Sequence, residues 1–444
     1  VNESIGTRQG SYELRVEDGI VNVIGKDASG VFYGIQSLER FIDISDFRQR
    51  DGELKIKSVF IRDEPRFEYR GLHLDVARNF HSIDHVKRVI DQIARFKLNK
   101  LHLTLTNDEG WRIEIPGLPE LTEIGAKRGH TKDERDMILP AYGSGPNPGP
   151  QGSGFYSRDE FIDLLKYADA RHVEIIPEVD LPGHARAAMR AMESRYYSLL
   201  NTGDKGAASQ YLLTDLDDES QYNSAQNYND NVVCVCMEST YDFVGKVVDE
   251  LISMYEESDL QLGIIHCGGD EVPYGAWQRS PICRAFIENT PGVESADDLH
   301  AYFMRRFIEV LGTYDIVAGG WEEIVLNTGE DGHNSTDINP EFLDQPVLPY
   351  VWNSVKGWGR EDMAYRLANL GYEIVMCNSS AVYFDLAYDH DPLEPGLTWS
   401  GFVNTENAFS FEPMQMFATS TDDIGRSEQD LRAGHLSSVI SLSE

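Results

Sequence analysis

One pattern dominates the chain from about residue 66 onward: a short apolar strand, a polar loop and an amphipathic helix follow one another repeatedly. Continuous apolar strands that alternate with helices predict a parallel sheet covered by helices. We identify seven such strands, at 71–76, 100–105, 173–179, 262–266, 316–319, 347–351 and 372–376. Seven strands from one starting point favour a (β/α)8 TIM barrel, an α/β fold, over an open sheet. Only 436–442 could supply the eighth strand, so we expect the last strand and helix to be incomplete.

The first 65 residues follow a different pattern. Segments 11–16 and 20–24 alternate apolar and polar residues on either side of Asp18 and Gly19, which predicts a β-hairpin. Apolar residues at helical spacing then predict a helix over 30–42. We therefore expect a small α+β domain at 1–65 and a catalytic barrel at 66–444, truncated at its C-terminus.

Charge and composition exclude several classes of partner. The chain has 74 Asp and Glu residues against 39 Lys and Arg residues, a net charge of −35. Such a surface repels phosphate backbones and anionic lipids, so we expect no nucleic-acid partner and no membrane insertion. The five cysteines show no metal-binding spacing. We interpret them as mostly buried thiols, with one opportunistic disulfide as the alternative.

Polar residues accumulate where the predicted strands end. In a TIM barrel this rim carries the active site. The residues at these predicted strand ends are Asp75, Arg78, Asn107, Asp108, Glu178, Asp180, His184, Asp270, Glu271, Glu322, Glu323, Trp352, Asn353, Tyr383 and Asp385. Several tryptophans follow the same strands, and carboxylates beside indole rings are typical of sugar sites. The long polar segments 140–155 and 201–231 are expected to wall the cleft.

Other chemistries are less well supported by the residues. Three histidines, His102, His184 and His266, lie near strands beside acids, but none of the three belongs to a His-x-His or His-x-x-x-His pair. A metal-dependent hydrolase is therefore kept as an alternative. Our main interpretation predicts neither a metal nor a cofactor. The chain has neither a Gly-x-Ser-x-Gly elbow nor a phosphate-binding Gly-x-x-x-x-Gly-Lys loop, which argues against a serine hydrolase and a nucleotide enzyme.

Several segments carry a family resemblance. They are Tyr-Arg-Gly-Leu-His-Leu-Asp-Val-Ala-Arg at 69–78, Asp-Glu-Gly-Trp-Arg at 108–112, Pro-Glu-Val-Asp-Leu-Pro-Gly-His at 177–184 and His-Cys-Gly-Gly-Asp-Glu at 266–271. In this order they resemble the family-20 glycoside hydrolases, the β-N-acetylhexosaminidases, and among them the bacterial chitobiases. The resemblance runs from about Tyr12 to Pro413, and it makes residues 1–65 the C-terminal part of a small companion domain.

The resemblance implies an exo-acting, retaining, substrate-assisted hydrolase that releases terminal β-N-acetyl-hexosamine from chitobiose and chito-oligosaccharides. It assigns Glu271 as the general acid, which needs a raised pKa. Asp270 would orient the substrate's acetamido group, and Tyr383 would bind its carbonyl oxygen. The residues implied to bind the sugar are Arg78, Trp321, Trp352, Trp399, Asp385 and Glu444. Those implied to lie behind the acid are His184, Asp180 and Asn107.

Two departures from the family pattern leave a second interpretation open. The chain has Thr104 and Asn107 where the family commonly has histidine and aspartate, and Leu442 where the family has tryptophan. A catalytically compromised sugar-binding relative is therefore the alternative to an active enzyme. By resemblance we expect a periplasmic or extracellular protein, whose signal peptide would lie outside this chain. The sequence does not predict its oligomeric state.

Overall fold

The structure is a computed structural model that describes residues 1–2, 4–45, 56–150, 152–328, 336–414 and 439–441. It contains a small antiparallel sheet followed by a larger, mainly parallel sheet that curls into a partial TIM barrel. This arrangement confirms the predicted fold class.

The antiparallel sheet lies in the first 63 residues. Its elements are β1 (Tyr12–Glu17), β2 (Ile20–Gly25), α1 (Ala28–Ser45) and β3 (Val59–Asp63), with strand order β2-β1-β3. Asp18 and Gly19 both have positive φ, 52° and 75°, which suits the tight turn of the predicted hairpin. The sequence did not predict β3, because its exposed Phe60 breaks the alternation of apolar and polar residues. The domain boundary near Arg66 stays a prediction.

The strands of the larger sheet are β4 (Gly71–Asp75), β5 (Lys100–Asn107), β6 (Gly110–Trp111), β7 (Glu174–Leu181), β8 (Ile264–Gly268), β9 (Val317–Trp321), β10 (Val347–Val351), β11 (Ile374–Met376) and β12 (Val439–Ser441). Their order is β12-β11-β10-β9-β8-β7-β5-β4, with β6 antiparallel to β5. The strand predicted at 436–442 is thus present as β12, parallel to β11. Within the described residues β12 and β4 do not pair, so the barrel is partial.

Helices cover the outside of this sheet. They are α2 (Ile83–Arg95), α3 (Glu120–Glu123), α4 (Arg158–Asp169), α5 (Arg186–Thr202), α6 (Lys205–Ser209), α7 (Glu238–Glu257), α8 (Pro281–Asn289), α9 (Leu299–Gly312), α10 (Met363–Leu370), α11 (Ser379–Val382) and α12 (Thr405–Ser410). The predicted capping box at Ser157 and Glu160 starts α4. Among the described helices, none combines the length and apolarity that a bilayer crossing requires.

Candidate active site

Two neighbouring carboxylates follow β8. On a regular strand their side chains would point to opposite sides. Here β8 ends at Gly268, and Gly268, Gly269 and Glu271 have positive φ of 70°, 82° and 48°. A Cβ on Gly268 would lie 1.8 Å from Asp180 Oδ1, so this turn requires glycine. Both Asp270 and Glu271 therefore line one cavity, as the glycine pair predicted.

That cavity measures about 1110 Å³ and opens at the carboxyl ends of the strands. It brings together the predicted site residues Arg78, Asp180, Asp270, Glu271, Trp321, Trp352, Tyr383, Asp385 and Trp399. Tyr142 and Gln226, from the two long polar segments, also line it. His184 and Asn107 are buried behind it. Glu444 and Leu442 lie outside the described residues, so the sugar contact implied for Glu444 stays a prediction.

His184 connects the two carboxylates to the barrel interior. Its Nε2 lies 3.3 Å from Glu271 Oε2 and 3.6 Å from Asp270 Oδ2. On the other side of the ring, Nδ1 lies 3.1 Å from Asp108 Oδ2. Asp108 is held in turn by the side-chain amide of Asn231, at 2.9 Å. The imidazole is therefore fixed between one buried carboxylate and the two that face the cavity.

The charges in this network shift the pKa of each member. Burial raises the pKa of Glu271, but the hydrogen bond and charge of His184 and the amide of Gln226 lower it to about 2. Burial and the charge of Glu271 raise the pKa of Asp270 to about 7, against the opposing effect of His184. Burial lowers the pKa of His184, but Asp270, Asp180 and Asp108 raise it well above its usual value.

The raised pKa expected for Glu271 is therefore wrong, since its pKa is lowered. The reason is the position of His184, because an imidazolium 3.3 Å from the carboxylate stabilises its charged form. The lowered pKa of Glu271 and the raised pKa of His184 thus favour a carboxylate paired with an imidazolium.

Asn107 does not contact either catalytic carboxylate. Its Nδ2 donates to Asp180 Oδ2 at 2.9 Å, and its Oδ1 accepts from the backbone N–H of Asp108 at the same distance. The amide thus links the carboxylate of Asp180 to the backbone of Asp108. Burial and the charge of Asp270 raise the pKa of Asp180 well above its usual value.

Indole rings form the apolar walls of the cavity. Trp321 is buried, and its Nε1 donates to Glu178 Oε1 at 3.3 Å. Trp352 donates its Nε1 to Glu323 Oε2 at 3.1 Å and packs edge-on against the half-exposed Trp399, with ring centroids 5.8 Å apart. Rigidly held indoles of this kind suit the apolar faces of a pyranose.

Tyr383 stands beside these indoles, with its ring 5.9 Å from that of Trp399 and nearly perpendicular to it. Burial and the neighbouring acidic groups raise the pKa of its phenol well above the usual value. The phenol therefore stays protonated and can donate a hydrogen bond across the physiological pH range.

Arg78 also lines the cavity. Its Nη1 lies 2.8 Å from Asp75 Oδ2, and its Nε lies 3.7 Å from Glu109 Oε2. These two carboxylates hold the guanidinium in a fixed orientation. The remaining donors of its planar fork can then bind two oxygens of a ligand at once.

Several residues of the site were not assigned a role from the sequence. Asp108, Glu178, Glu322 and Glu323 were recognised only as polar residues at strand ends, although Asp108 is the hydrogen-bond partner of His184. Gln226 lies in the middle of the segment 201–231 and carries no pattern that points to Glu271. For Asp108, its place directly after β5 was a usable signal.

Among the residues that the structure describes, two groups have the composition of a metal site. His73, His102 and Glu178 have ligand atoms that all lie within 4.8 Å of one another, and so do Asp180, His184 and Asp270. The second group shares His184 and Asp270 with the carboxylate network. The first lies under the cavity and is connected to it through His73 and Glu178.

The sequence matches a known family over most of its length. The match covers residues 67–434 and the family is described as "Glycosyl hydrolase family 20, catalytic domain". A β-hexosaminidase of Vibrio vulnificus is 40% identical over 408 residues, which is 91% of this chain and 46% of that protein. The N,N'-diacetylchitobiase of Vibrio harveyi is 35% identical over 94% of this chain and 49% of its own length.

Solved structures agree with the sequence comparison. The crystal structure of an exo-β-N-acetylglucosaminidase from Vibrio harveyi, in complex with N-acetylglucosamine, superimposes with a TM-score of 0.75. That protein is 31% identical, and the match covers 96% of this chain and 57% of the other. The chain spans about half the length of the curated relatives it matches. With this fold and these motifs, the chain belongs to glycosyl hydrolase family 20.

Proposed function

We propose that this chain is the catalytic part of an exo-acting β-N-acetylhexosaminidase. Its substrates would be chitobiose and short chito-oligosaccharides, from which it removes the terminal β-linked N-acetylglucosamine. The observation that carries the proposal is the convergence of Asp270, Glu271 and Tyr383 on one cavity with indole walls. Membership of family 20 supports the same class of substrate.

The proposed reaction needs no nucleophile from the protein, because the substrate's own 2-acetamido oxygen attacks the anomeric carbon. The bond from that carbon to the leaving oxygen breaks, and Glu271 gives its proton to the leaving oxygen. Asp270 stabilises the positive charge on the nitrogen of the resulting oxazolinium ring, while Tyr383 donates its O–H to the oxygen that forms this ring. A water deprotonated by Glu271 then opens the ring, and the anomeric configuration is retained.

His184 supplies the proton that the acid needs. The proton of the pair is favoured on His184, since the pKa of Glu271 is lowered to about 2 and that of His184 is raised. The leaving oxygen of a bound substrate would replace Gln226 as the neighbour of Glu271, and the carboxylate would lose one of its donors. We infer that the proton then moves across the 3.3 Å contact from His184 to Glu271.

We infer the exo-mode from the residues implied to bind the non-reducing end of the substrate. Arg78 and the exposed Asp385 would bind hydroxyls of the non-reducing sugar, so the chain of the substrate could extend only past Glu271. Trp321, Trp352 and Trp399 would enclose the acetyl group and the sugar ring. The direct partner of the protein is thus an oligosaccharide.

The experiment that tests this function follows the hydrolysis of chitobiose by proton NMR. The first N-acetylglucosamine released should have the β-configuration, and Glu271→Gln should reduce its release by about two to four orders of magnitude. A first product with the α-configuration contradicts the mechanism. Tight binding of N-acetylglucosamine without any turnover by the wild type would select the sugar-binding relative instead.

We also propose that the protein acts outside the cytoplasm, in the periplasm or the extracellular medium. The resemblance to bacterial chitobiases supports this location. Fractionation of cells that express the complete gene tests it: recovery of the protein only with the cytoplasmic fraction would contradict it.

A further inference from the structure

A buried cluster of His73, His102 and Glu178 lies beneath the sugar cavity. His73 and Glu178 line the floor of the cavity, whereas His102 is fully buried below them. The mechanism proposed above uses none of the three. We propose that this trio, the histidine–glutamate floor, binds a divalent transition-metal cation such as Zn²⁺, and that the bound cation blocks the sugar site.

The ligand atoms have the spacing that such a cation requires. Tetrahedral zinc with bonds of about 2.0–2.1 Å places its ligands about 3.3 Å apart. Glu178 Oε2 lies 2.7 Å from His102 Nε2 and 3.6 Å from His73 Nε2. These distances bracket the ideal value, so shifts of a few tenths of an ångström would complete the site. Two imidazoles and one carboxylate are a ligand set that zinc favours.

One of the candidate ligand atoms, His102 Nε2, makes no hydrogen bond within the described residues. Although His102 Nε2 is close to Glu178, it is not aligned for a hydrogen bond, and it has no other partner within the described residues. A buried polar atom of this kind is costly unless a ligand satisfies it. A cation bound by His102 and Glu178 would do so.

The neighbouring groups hold the carboxylate in place. Thr104 Oγ1 donates to Glu178 Oε2 at 2.6 Å and contacts His73 Nε2 at the same distance. Glu178 Oε1 accepts from Trp321 and lies 3.5 Å from His266 Nδ1, which itself accepts from the N–H of Gly268. His266 is thus engaged, and the trio offers three ligands with a fourth position open toward the cavity.

The cavity also provides the route of entry. Carboxylates of Asp75, Asp180, Asp270 and Glu271 line it, within a chain of net charge −35. A negative cleft concentrates cations at its entrance. A cation on the floor would lie against Trp321 and occupy space that the sugar needs, so we expect the cation and the sugar to exclude each other.

Isothermal titration of the purified chain with Zn²⁺ tests the site directly. We expect one cation per chain at the floor, and His73→Gln should weaken its binding by about 10–100-fold, as for loss of a metal-site group. His85→Gln is the matched control, because His81 and His85 form a stacked pair outside the cavity that could bind zinc by itself. Zn²⁺ binding that is unchanged in His73→Gln, whatever the effect of His85→Gln, or no binding at all, overturns the proposal.

Two measurements on the wild type keep the test independent of how the variants fold. Co²⁺ in place of Zn²⁺ should give the intense visible absorption of a four-coordinate site, and only weak octahedral bands would contradict it. Added N-acetylglucosamine should raise the apparent Kd for Zn²⁺. This last measurement rests on the proposed function. A chain that binds Zn²⁺ through His73 but binds no sugar contradicts that function and supports the metal site. Sugar that binds without changing the affinity for Zn²⁺ overturns the blocking role.

Discussion

His184 Nε2 lies 3.3 Å from Glu271 Oε2, so the acid of the proposed reaction is paired with an imidazole that is itself anchored on Asp108. This contact lowers the pKa of Glu271 and raises that of His184. The two groups then share one proton over a wide pH range, and that proton is available to the leaving group.

Replacing His184 by glutamine tests this shared proton. Without the imidazole, the proton must reside on Glu271 alone, and activity should be lost at lower pH than in the wild type. We expect kcat/KM to fall roughly 10–100-fold near neutral pH and its alkaline limb to move toward acid by at least about one unit. The measurement is a pH profile of kcat/KM. His130→Gln, at an exposed loop position, is the control. An unchanged alkaline limb would contradict the pairing.

Tyr383→Phe removes only a hydroxyl. Because the phenol would donate to the acetamido oxygen as the ring closes, its loss should lower kcat by about 10²–10³-fold and change KM little. Steady-state kinetics on a nitrophenyl N-acetylglucosaminide measures this. Tyr388→Phe removes the same hydroxyl from an exposed neighbour and should have no effect. A change confined to KM would show that the phenol only binds the sugar.

Glu323 orients the indole of Trp352 and pairs with Arg360, whose Nη1 lies 2.8 Å from its Oε1. Glu323→Ala removes the acceptor of the indole N–H, and we expect KM to rise by roughly fivefold, equivalent to about 1 kcal/mol. Glu323→Gln keeps a carbonyl acceptor and should raise KM less. Equal effects of the two variants on KM would argue against this positioning role.

The carboxyl group of Glu322 should make the free energy of unfolding depend on pH. Its carboxylate is fully buried, and burial and the charge of Glu323 raise its pKa to about 8. In the unfolded chain the pKa is about 4.3. The folded chain therefore retains a proton on Glu322 that the unfolded chain releases. The stability that this proton contributes is present below pH 4 and is lost as the pH rises to about 8.

Urea unfolding between pH 5 and pH 8 measures this contribution. The free energy of unfolding should fall more steeply with pH in the wild type than in Glu322→Gln, which has no proton to lose. Glu288→Gln, an exposed substitution on α8, should reproduce the wild-type slope. Parallel curves for wild type and Glu322→Gln would show that Glu322 does not titrate in this range.

The apolar strands were predictable from sequence because burial on both faces leaves a continuous apolar run, as in β7. The strand predicted at 436–442 was found at Val439–Ser441. Short helices such as α10 were not predicted, since their eight residues complete barely two turns of periodicity. The Ser280–Pro281 start of α8 was a capping signal that could have identified that helix.

The site residues were predictable because parallel strands bring their carboxyl ends to one rim, where Asp270, Glu271 and Trp321 all lie. The contacts between the site residues were not predictable from the sequence. The contact of Asp108 with His184 joins residues 76 positions apart, and that of Gln226 with Glu271 joins residues 45 positions apart. The direction of the pKa shift of Glu271 depends on these same contacts.

The central claim is that the substrate's amide oxygen, and no group of the protein, attacks the anomeric carbon. Nitrophenyl glycosides whose acetamido group carries one, two or three fluorines test it most directly, because fluorine withdraws electrons from that oxygen. The account predicts that kcat/KM falls steadily along the series, by more than about a hundredfold or roughly 2.7 kcal/mol for the trifluoro compound. Rates that stay constant across the series would contradict it.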